Sequence, residues 1–221
     1  GHGELAGGSG FAGTAMTAIG GEEVFLHQLL QIARLLDTPF QETIVDVLRR
    51  HSLEPQVSVL QGPPTTSPAG PIKVECNFST GPGTVEIHPG PVKRVSRMNA
   101  KLAKYAPPHP RGVWPLAANI LDPVRASVVC NGPAQILEVL GWFAAESSGL
   151  ALCRVKNKFA QTSCIDDGYR DLSLSLVFSD SSGLRLIGEV QIHDREMHEL
   201  KLQMHRLYMV KRAIDSSNLF E

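Results

Sequence analysis

Alternating apolar and polar residues predict two neighbouring β-strands in the last third of the chain. In the segment 169–178, apolar residues two positions apart alternate with Asp and Ser, which is the period of a strand with one buried face. A turn sequence of Asp, Ser, Ser and Gly separates this segment from a second strand at 184–193, in which Glu189, Gln191 and His193 share one face. That face predicts either a polar site or a sheet surface exposed to solvent.

Apolar residues spaced three and four apart predict helices near the other end of the chain. One such stripe runs through 22–36, and a second begins at Thr38-Pro39, where Thr is a good N-cap and Pro fits the first helical turn. We therefore predict a helical hairpin over residues 22–53. Two short helices are not stable alone, so the hairpin needs a partner, either the main domain or another protein.

The distribution of Gly and Pro predicts the domain boundaries. Residues 1–21 are rich in Gly and are predicted to be a flexible tail, whereas residues 54–90 are predicted to be a Pro/Gly-rich connector with one possible short strand at 72–78. Residues 91–215 form the predicted main domain, with helices at 92–105, 133–147 and 194–213 and strands at 124–130 and 150–159 beside the two C-terminal strands. The predicted fold class is α+β, with a mixed β-sheet of about four to five strands flanked by helices.

Composition and charge narrow the classes of function. The chain has 221 residues, a formal net charge of -1 and 43% hydrophobic residues, which is ordinary for a soluble globular protein. A near-neutral charge gives no general attraction for phosphate backbones, so nucleic acid is not an expected partner. No stretch reaches the roughly 20 apolar residues of a transmembrane helix. The four cysteines lack paired C-x-x-C spacing and are predicted to be free thiols.

Charged residues supply candidates for chemistry. Lys93 and Lys101, with Arg97 on a neighbouring face of the predicted helix 92–105, either neutralise a triphosphate or form an ordinary solvated surface. Asp122, just before a predicted strand, is a candidate magnesium ligand or a turn former. Glu189 is a candidate second metal contact or general base.

The order of these motifs along the chain resembles the synthetase domain of the RelA/SpoT family. The basic helix comes first, Asp122-x-x-Arg125 enters a strand, and Gly168-Tyr169-Arg170-Asp171 precedes Glu189-Val190-Gln191-Ile192-His193. The resemblance covers residues 91–212. It implies a nucleotidyltransferase-like domain that transfers pyrophosphate from ATP to the ribose 3′-hydroxyl of GDP or GTP, giving the alarmones (p)ppGpp.

The resemblance also implies a role for each candidate residue. Asp122 and Glu189 would be the catalytic residues and would hold Mg²⁺, and Glu189 would help to deprotonate the 3′-hydroxyl. Purine nucleotides (ATP, GDP or GTP) would be the partners. The substrate-binding residues would be Lys93 and Lys101 on the ATP phosphates, Arg97 on the same helix, Tyr169 stacked on guanine, and Gln191 hydrogen-bonded to the nucleotide.

Three positions and one spacing depart from the family pattern. Arg97 stands where the helix motif has a Ser, and the spacing from Asp122 to Arg125 is shorter than usual. Pro91 stands where the helix motif has its first Arg, and Ser173 stands where a His is expected. Because a charge-assisted contact to ATP is worth about 1.5–3 kcal/mol, its loss favours an alternative function. That alternative is a catalytically inactive subunit with a structural or nucleotide-sensing role in a larger protein assembly. The resemblance is compatible with a soluble, intracellular protein of a plastid or mitochondrion, but it selects no compartment.

Overall fold

The computed structural model describes residues 10–53, 70–160 and 170–204, and these residues include one mixed six-stranded sheet. The strands are β1 (Ile72–Phe78), β2 (Gly81–Gly90), β3 (Arg125–Cys130), β4 (Ala151–Asn157), β5 (Leu172–Ser179) and β6 (Arg185–Asp194). Their order is β1-β2-β3-β6-β5-β4. β3 and β6 are parallel, and the other neighbouring pairs are antiparallel. The helices are α1 (Gly10–Arg49), α2 (Val95–Tyr105), α3 (Pro133–Ala144) and α4 (195–204).

This architecture confirms the predicted α+β class and the mixed sheet, with six strands where four to five were predicted. The four strands predicted between residues 124 and 193 are β3 to β6, and the helix predicted at 133–147 is α3. The last predicted helix, 194–213, is observed as α4 over 195–204, and its remaining predicted residues lie outside the described part of the chain.

The prediction of a connector over 54–90 was wrong for its second half. The short strand predicted at 72–78 is β1, and it forms an antiparallel hairpin with β2, which in turn pairs with β3. Gly81 closes the hairpin turn with a φ of 114°, a conformation that favours Gly. Buried residues alternate along both strands, so packing and sheet pairing override the low strand propensity of Pro and Gly in β2. These residues are Val74, Cys76, Phe78, Val85 and Ile87.

A single helix, α1, stands where the hairpin was predicted, and it also includes part of the predicted tail 1–21. Pro39 lies inside it, although an internal proline removes a backbone hydrogen bond and crowds the preceding turn. The helix continues because one unbroken apolar stripe is buried on both sides of the proline: Leu26, Leu30, Ala33, Leu36, Phe40, Ile44 and Leu48. Most of this stripe belongs to the core shared with the sheet. The stripe is therefore covered by the chain itself, and the predicted docking of a hairpin to another protein has no support.

The core lies between α1, α3 and one face of the sheet. The ring of Phe40 meets Phe178 edge-on, with 5.9 Å between ring centroids. Phe40 also lies directly over Gly188 of β6, where an added Cβ would be 2.5 Å from the ring. A smaller cluster of Leu26, Leu30, Met98 and Ile120 holds α2 against α1. Among the described residues, no helix is long and apolar enough to cross a membrane.

Candidate functional site

The sheet face opposite the core carries the polar residues predicted from the strand alternation, and we call it the polar face. Val124, Ala126 and Val128 of the β3 segment point into the core, so Arg125 and Ser127 point to the other side. On β6 the same alternation places Glu189, Gln191 and His193 on the polar face. Pairing of β3 with β6 aligns Arg125 with Glu189 and Ser127 with Gln191.

Asp122 is held by two lysines at the start of β3. Lys93 and Lys101 each donate a hydrogen bond to a different oxygen of its carboxylate, the second at 2.8 Å. The predicted basic helix begins only at Val95, so Lys93 precedes it, and its backbone N–H donates to the carbonyl of Pro123 at 2.9 Å. This backbone bond fixes Lys93 beside Asp122, while Lys101 reaches the carboxylate from the second turn of α2.

Burial and charge act together on this cluster. Burial alone would raise the pKa of Asp122, but the hydrogen bonds and charges of Lys101 and Lys93 outweigh it and hold the pKa below its ordinary value. Burial lowers the pKa of Lys93, its bond to Asp122 opposes that fall, and the charges of Lys101 and Arg125 add to it. The cluster therefore has a net positive charge, because the single carboxylate of Asp122 is bonded to the ammonium groups of both Lys93 and Lys101.

Glu189 has both carboxylate oxygens engaged by side chains of the polar face. The hydroxyl of Ser173 donates to one oxygen at 2.5 Å, and the amide of Gln191 donates to the other at 3.0 Å. Ser173 is one of the residues that depart from the pattern expected from the sequence, and here it orients the Glu189 carboxylate. The carboxylate is thus fixed in one orientation on the sheet.

Helix α4 covers part of the polar face. Its Lys201 donates to the side-chain oxygen of Gln191 at 2.9 Å and lies 3.3 Å from the Nε2 atom of His193. Burial lowers the pKa of Lys201, while the carboxylates of Asp171 and Glu189 oppose that fall. Lys201 therefore occupies the side-chain oxygen of Gln191, one of the residues that were predicted to bind nucleotide.

Asp122 and Glu189 lie on the same side of the molecule. Arg125 is aligned with Glu189 on the polar face, and its charge acts on both Lys93, which holds Asp122, and Lys201, which lies near Glu189. Gly90 of β2 pairs with Arg125, and an added Cβ there would be 2.8 Å from the Arg125 side chain. The absence of that Cβ leaves room for the Arg125 side chain on the polar face.

The other two predicted residues are placed differently. Arg97 is an exposed residue of α2, one helical turn before Lys101. Tyr169, predicted to stack on guanine, lies outside the described residues.

Comparison with solved structures gives matches to the fold, although no family model and no curated protein matches the sequence. Small alarmone synthetase 1 from Bacillus subtilis is similar with a TM-score of 0.56 at 15% identity, over 84% of this chain and 80% of that one. Small alarmone synthetase 2 from the same organism gives 0.53 at 14% identity, over 83% and 80%. The chain has the fold of the small alarmone synthetases.

A third match is the structure of synthetase 1 from Bacillus subtilis bound to its product pppGpp. Its TM-score is 0.46 at 18% identity, and the alignment covers 56% of this chain and 62% of that chain. In that alignment the chain therefore spans less than two thirds of the synthetase. On this synthetase fold, the candidate site consists of the polar face and the cluster of Lys93, Lys101 and Asp122.

The donor set on this synthetase fold does not fit the predicted magnesium ion. Both oxygens of Asp122 are bonded to ammonium groups, and both oxygens of Glu189 are bonded to neutral donors of the sheet. Within residues 10–53, 70–160 and 170–204, no three His, Cys, Asp or Glu side chains group as metal ligands. A hard divalent cation needs several free oxygen ligands, and two lysines would have to leave Asp122 first.

Sequence reasoning missed three cations near this face of the synthetase fold. The sequence patterns placed Arg125 in a motif, Lys201 in a helix and Lys158 at the end of a strand, but they assigned no role in the site to any of the three. Lys158 pairs with the fully buried Asp171 at 2.7 Å. The alternation of β3 could have found Arg125, because it places that residue opposite the apolar Val124 and Ala126. Lys201 had no such signal, since its position depends on how α4 folds over the sheet.

Proposed function

We propose that this domain binds purine nucleotides on the polar face, with the phosphate groups over Lys93 and Lys101. The observation that carries the proposal is the cluster in which these two ammonium groups share the single carboxylate of Asp122. A triphosphate brings several negative charges and competes for ammonium groups that one carboxylate only partly neutralises. Arg125, aligned beside this cluster, adds a guanidinium suited to phosphate.

The remaining predicted residues complete the proposed nucleotide site. Gln191 lies on the polar face and would hydrogen-bond to the nucleotide once Lys201 moves from its side-chain oxygen. Tyr169 would stack on the purine, since aromatic side chains bind bases by their faces. Arg97, one helical turn before Lys101 on α2, would contact a phosphate from the exposed end of the site.

We propose that nucleotide binding occurs without efficient transfer. Pyrophosphate transfer needs compensation of the charge that develops on the phosphates, and the carboxylates predicted to hold magnesium are both engaged by other groups. The inactive, nucleotide-sensing alternative therefore has more support than catalysis.

Pyrophosphate transfer from ATP to the 3′-hydroxyl of GDP or GTP is the second candidate. The observation that favours it is the fixed orientation of the Glu189 carboxylate on the same side of the sheet as Asp122. A carboxylate with one defined orientation can accept a proton from a positioned hydroxyl. In this second candidate Glu189 is the general base and Asp122 belongs to the phosphate end of the site.

Nucleotide affinity tests the primary proposal. We expect Lys93→Met and Lys101→Met each to weaken ATP binding by about 10- to 100-fold, because each removes one charge-assisted contact of about 1.5–3 kcal/mol. Isothermal titration calorimetry at constant ionic strength measures the change. Lys104→Met is the matched control, since Lys104 is an exposed lysine of the same helix. Wild-type affinity in both Lys93→Met and Lys101→Met would place the phosphates elsewhere.

Product formation separates the two candidates. The purified protein is incubated with ATP, magnesium and GDP or GTP, and AMP release is followed by chromatography. We expect AMP release by the wild type to equal that of Glu189→Gln, which keeps the shape of the side chain and removes its basic carboxylate. AMP release at least tenfold faster in the wild type would instead establish transfer with Glu189 as its base.

A further inference from the structure

A cavity of about 460 Å³ lies between α1, α2 and the segment that follows α2. None of its lining residues belongs to the polar face, so it is separate from the proposed nucleotide site. Its volume is within the roughly 300–1,000 Å³ of pockets that hold small organic molecules. The lining residues are Glu22, Glu23, Leu26, Asn99, Leu102, Pro107, Gly112, Trp114 and Leu116.

The walls of this cavity are held in place by independent contacts. The Glu22 carboxylate accepts hydrogen bonds from the backbone N–H groups of Leu116 and Ala117, the latter at 3.1 Å. Phe25 meets Trp114 edge-on at 5.2 Å between ring centroids. The small core cluster below fixes α2 against α1. The cavity is therefore formed before any ligand enters, which reduces the ordering cost of binding.

The chemistry of the lining selects one class of ligand. Leucine side chains and the indole of Trp114 supply an apolar interior, whereas the charged lining residues are two carboxylates, Glu22 and Glu23. Within the part of the chain that the structure describes, no Lys, Arg or His lines the cavity. An indole face and a carboxylate both attract a cation, the first through its quadrupole and the second through its charge. A nucleotide or another anion is disfavoured by the same carboxylates.

We propose that this cavity is a binding site for an apolar organic cation, that is, a hydrocarbon or aromatic body carrying one protonated amine. The apolar body lies among Leu26, Leu102 and Trp114. The ammonium group is directed to Glu23, whose side chain is exposed at the rim, because the Glu22 oxygens already accept backbone hydrogen bonds.

Three probes with the same apolar body test the charge preference. 1-Aminoadamantane is a cation, 1-adamantanol is neutral and 1-adamantanecarboxylate is an anion at pH 7. Trp114 reports binding by fluorescence, and the chain has two Trp residues, so a Trp142→Phe variant isolates its signal. We expect the amine to bind at least tenfold more tightly than the carboxylate, with the alcohol between them. Equal affinities, or no saturable change with any probe, would overturn the proposal.

Two variants locate the site. Glu23→Gln is expected to reduce the preference for the amine over the alcohol several-fold, and Leu102→Trp is expected to abolish binding because it fills the cavity. Glu42→Gln removes an exposed carboxylate elsewhere on α1 and should change neither. If Leu102→Trp does not fold, as judged by circular dichroism, Glu23→Gln decides alone. An unchanged preference in Glu23→Gln contradicts the proposal, whatever the outcome for nucleotide binding.

Discussion

Phe40→Ala is expected to lower the free energy of unfolding by about 3–5 kcal/mol, the usual cost of deleting a buried aromatic ring. Phe40 is fully buried, and its ring contacts both Phe178 and the backbone of β6 at Gly188. The cavity left behind would lie between α1 and the sheet, where neither element can move in without breaking other contacts. Because domains are stable by only about 5–15 kcal/mol, this one change removes a large share of the total.

Urea unfolding followed by circular dichroism measures this effect. Leu35→Ala is the matched control, because Leu35 lies on the same helix, is 66% exposed and should change stability by no more than about 0.5 kcal/mol. Equal, small losses in the two variants would mean that α1 does not close the core. The single-helix arrangement through Pro39 would then be incorrect.

The strands of the C-terminal half could be predicted because burial on one face leaves a period of two in the sequence. The apolar residues of β5 and β6 alternate with Ser173, Glu189 and Gln191, and the structure places each set on the predicted face. The hairpin of β1 and β2 was harder to predict. Its Pro and Gly residues argue for a loop, and only pairing with β3, distant in sequence, gives them a strand conformation.

The break predicted at Thr38-Pro39 was wrong for a related reason. Thr and Pro are local signals for a helix start, but the buried stripe passes from Leu36 to Phe40 without changing face. Burial of that stripe against the sheet outweighs the hydrogen bond that Pro39 cannot make. The spacing of apolar residues predicts the buried stripe, but it does not predict that the stripe packs against the sheet.

The sequence predicted which residue types form the candidate site, but it did not predict the hydrogen bonds that those residues make. The positions of Lys101, Asp122 and Glu189 follow from the motif order, and the structure brings them to one side of the sheet. Their hydrogen-bond partners depend on tertiary packing. Lys93 precedes α2 and donates to Asp122, Ser173 donates to Glu189, and Lys201 donates to Gln191. These contacts determine whether the carboxylates of Asp122 and Glu189 are free to bind a metal ion or are already hydrogen-bonded. That difference separates pyrophosphate transfer from nucleotide binding alone.

Acidification is expected to destabilise the domain steeply below pH 6.5, through two buried histidines. His193 and His198 are 0% and 5% exposed where α4 lies on the polar face. Burial and the charge of Lys201 lower the pKa of His193 to about 2. Burial and the neighbouring His88 lower the pKa of His198 to about 4. Lys158, Arg195 and Glu86 are the other charged groups that act on these two rings.

The sign follows from where protons bind. In the unfolded chain both rings take up a proton near pH 6.5, whereas in the folded chain they remain neutral to about pH 4 or below. The contribution of the two neutral imidazoles to the free energy of unfolding is therefore complete above pH 6.5, and it is lost as the pH falls. Each ring contributes up to about 1.4 kcal/mol per pH unit in this window, so the two together give about 2–3 kcal/mol between pH 6 and pH 5.

Urea unfolding at pH 7.5, 6.0 and 5.0 measures this slope, and variants assign it. His198→Gln should remove about half of the pH dependence between pH 6 and pH 5, whatever its effect on stability at pH 7.5. His109→Gln, which changes an exposed histidine after α2, should leave the slope as it is. A stability that stays constant down to pH 5 in the wild type would show that neither imidazole is buried between α4 and the sheet. The polar face would then be open to solvent, and the covering of Gln191 by Lys201 could not limit nucleotide access.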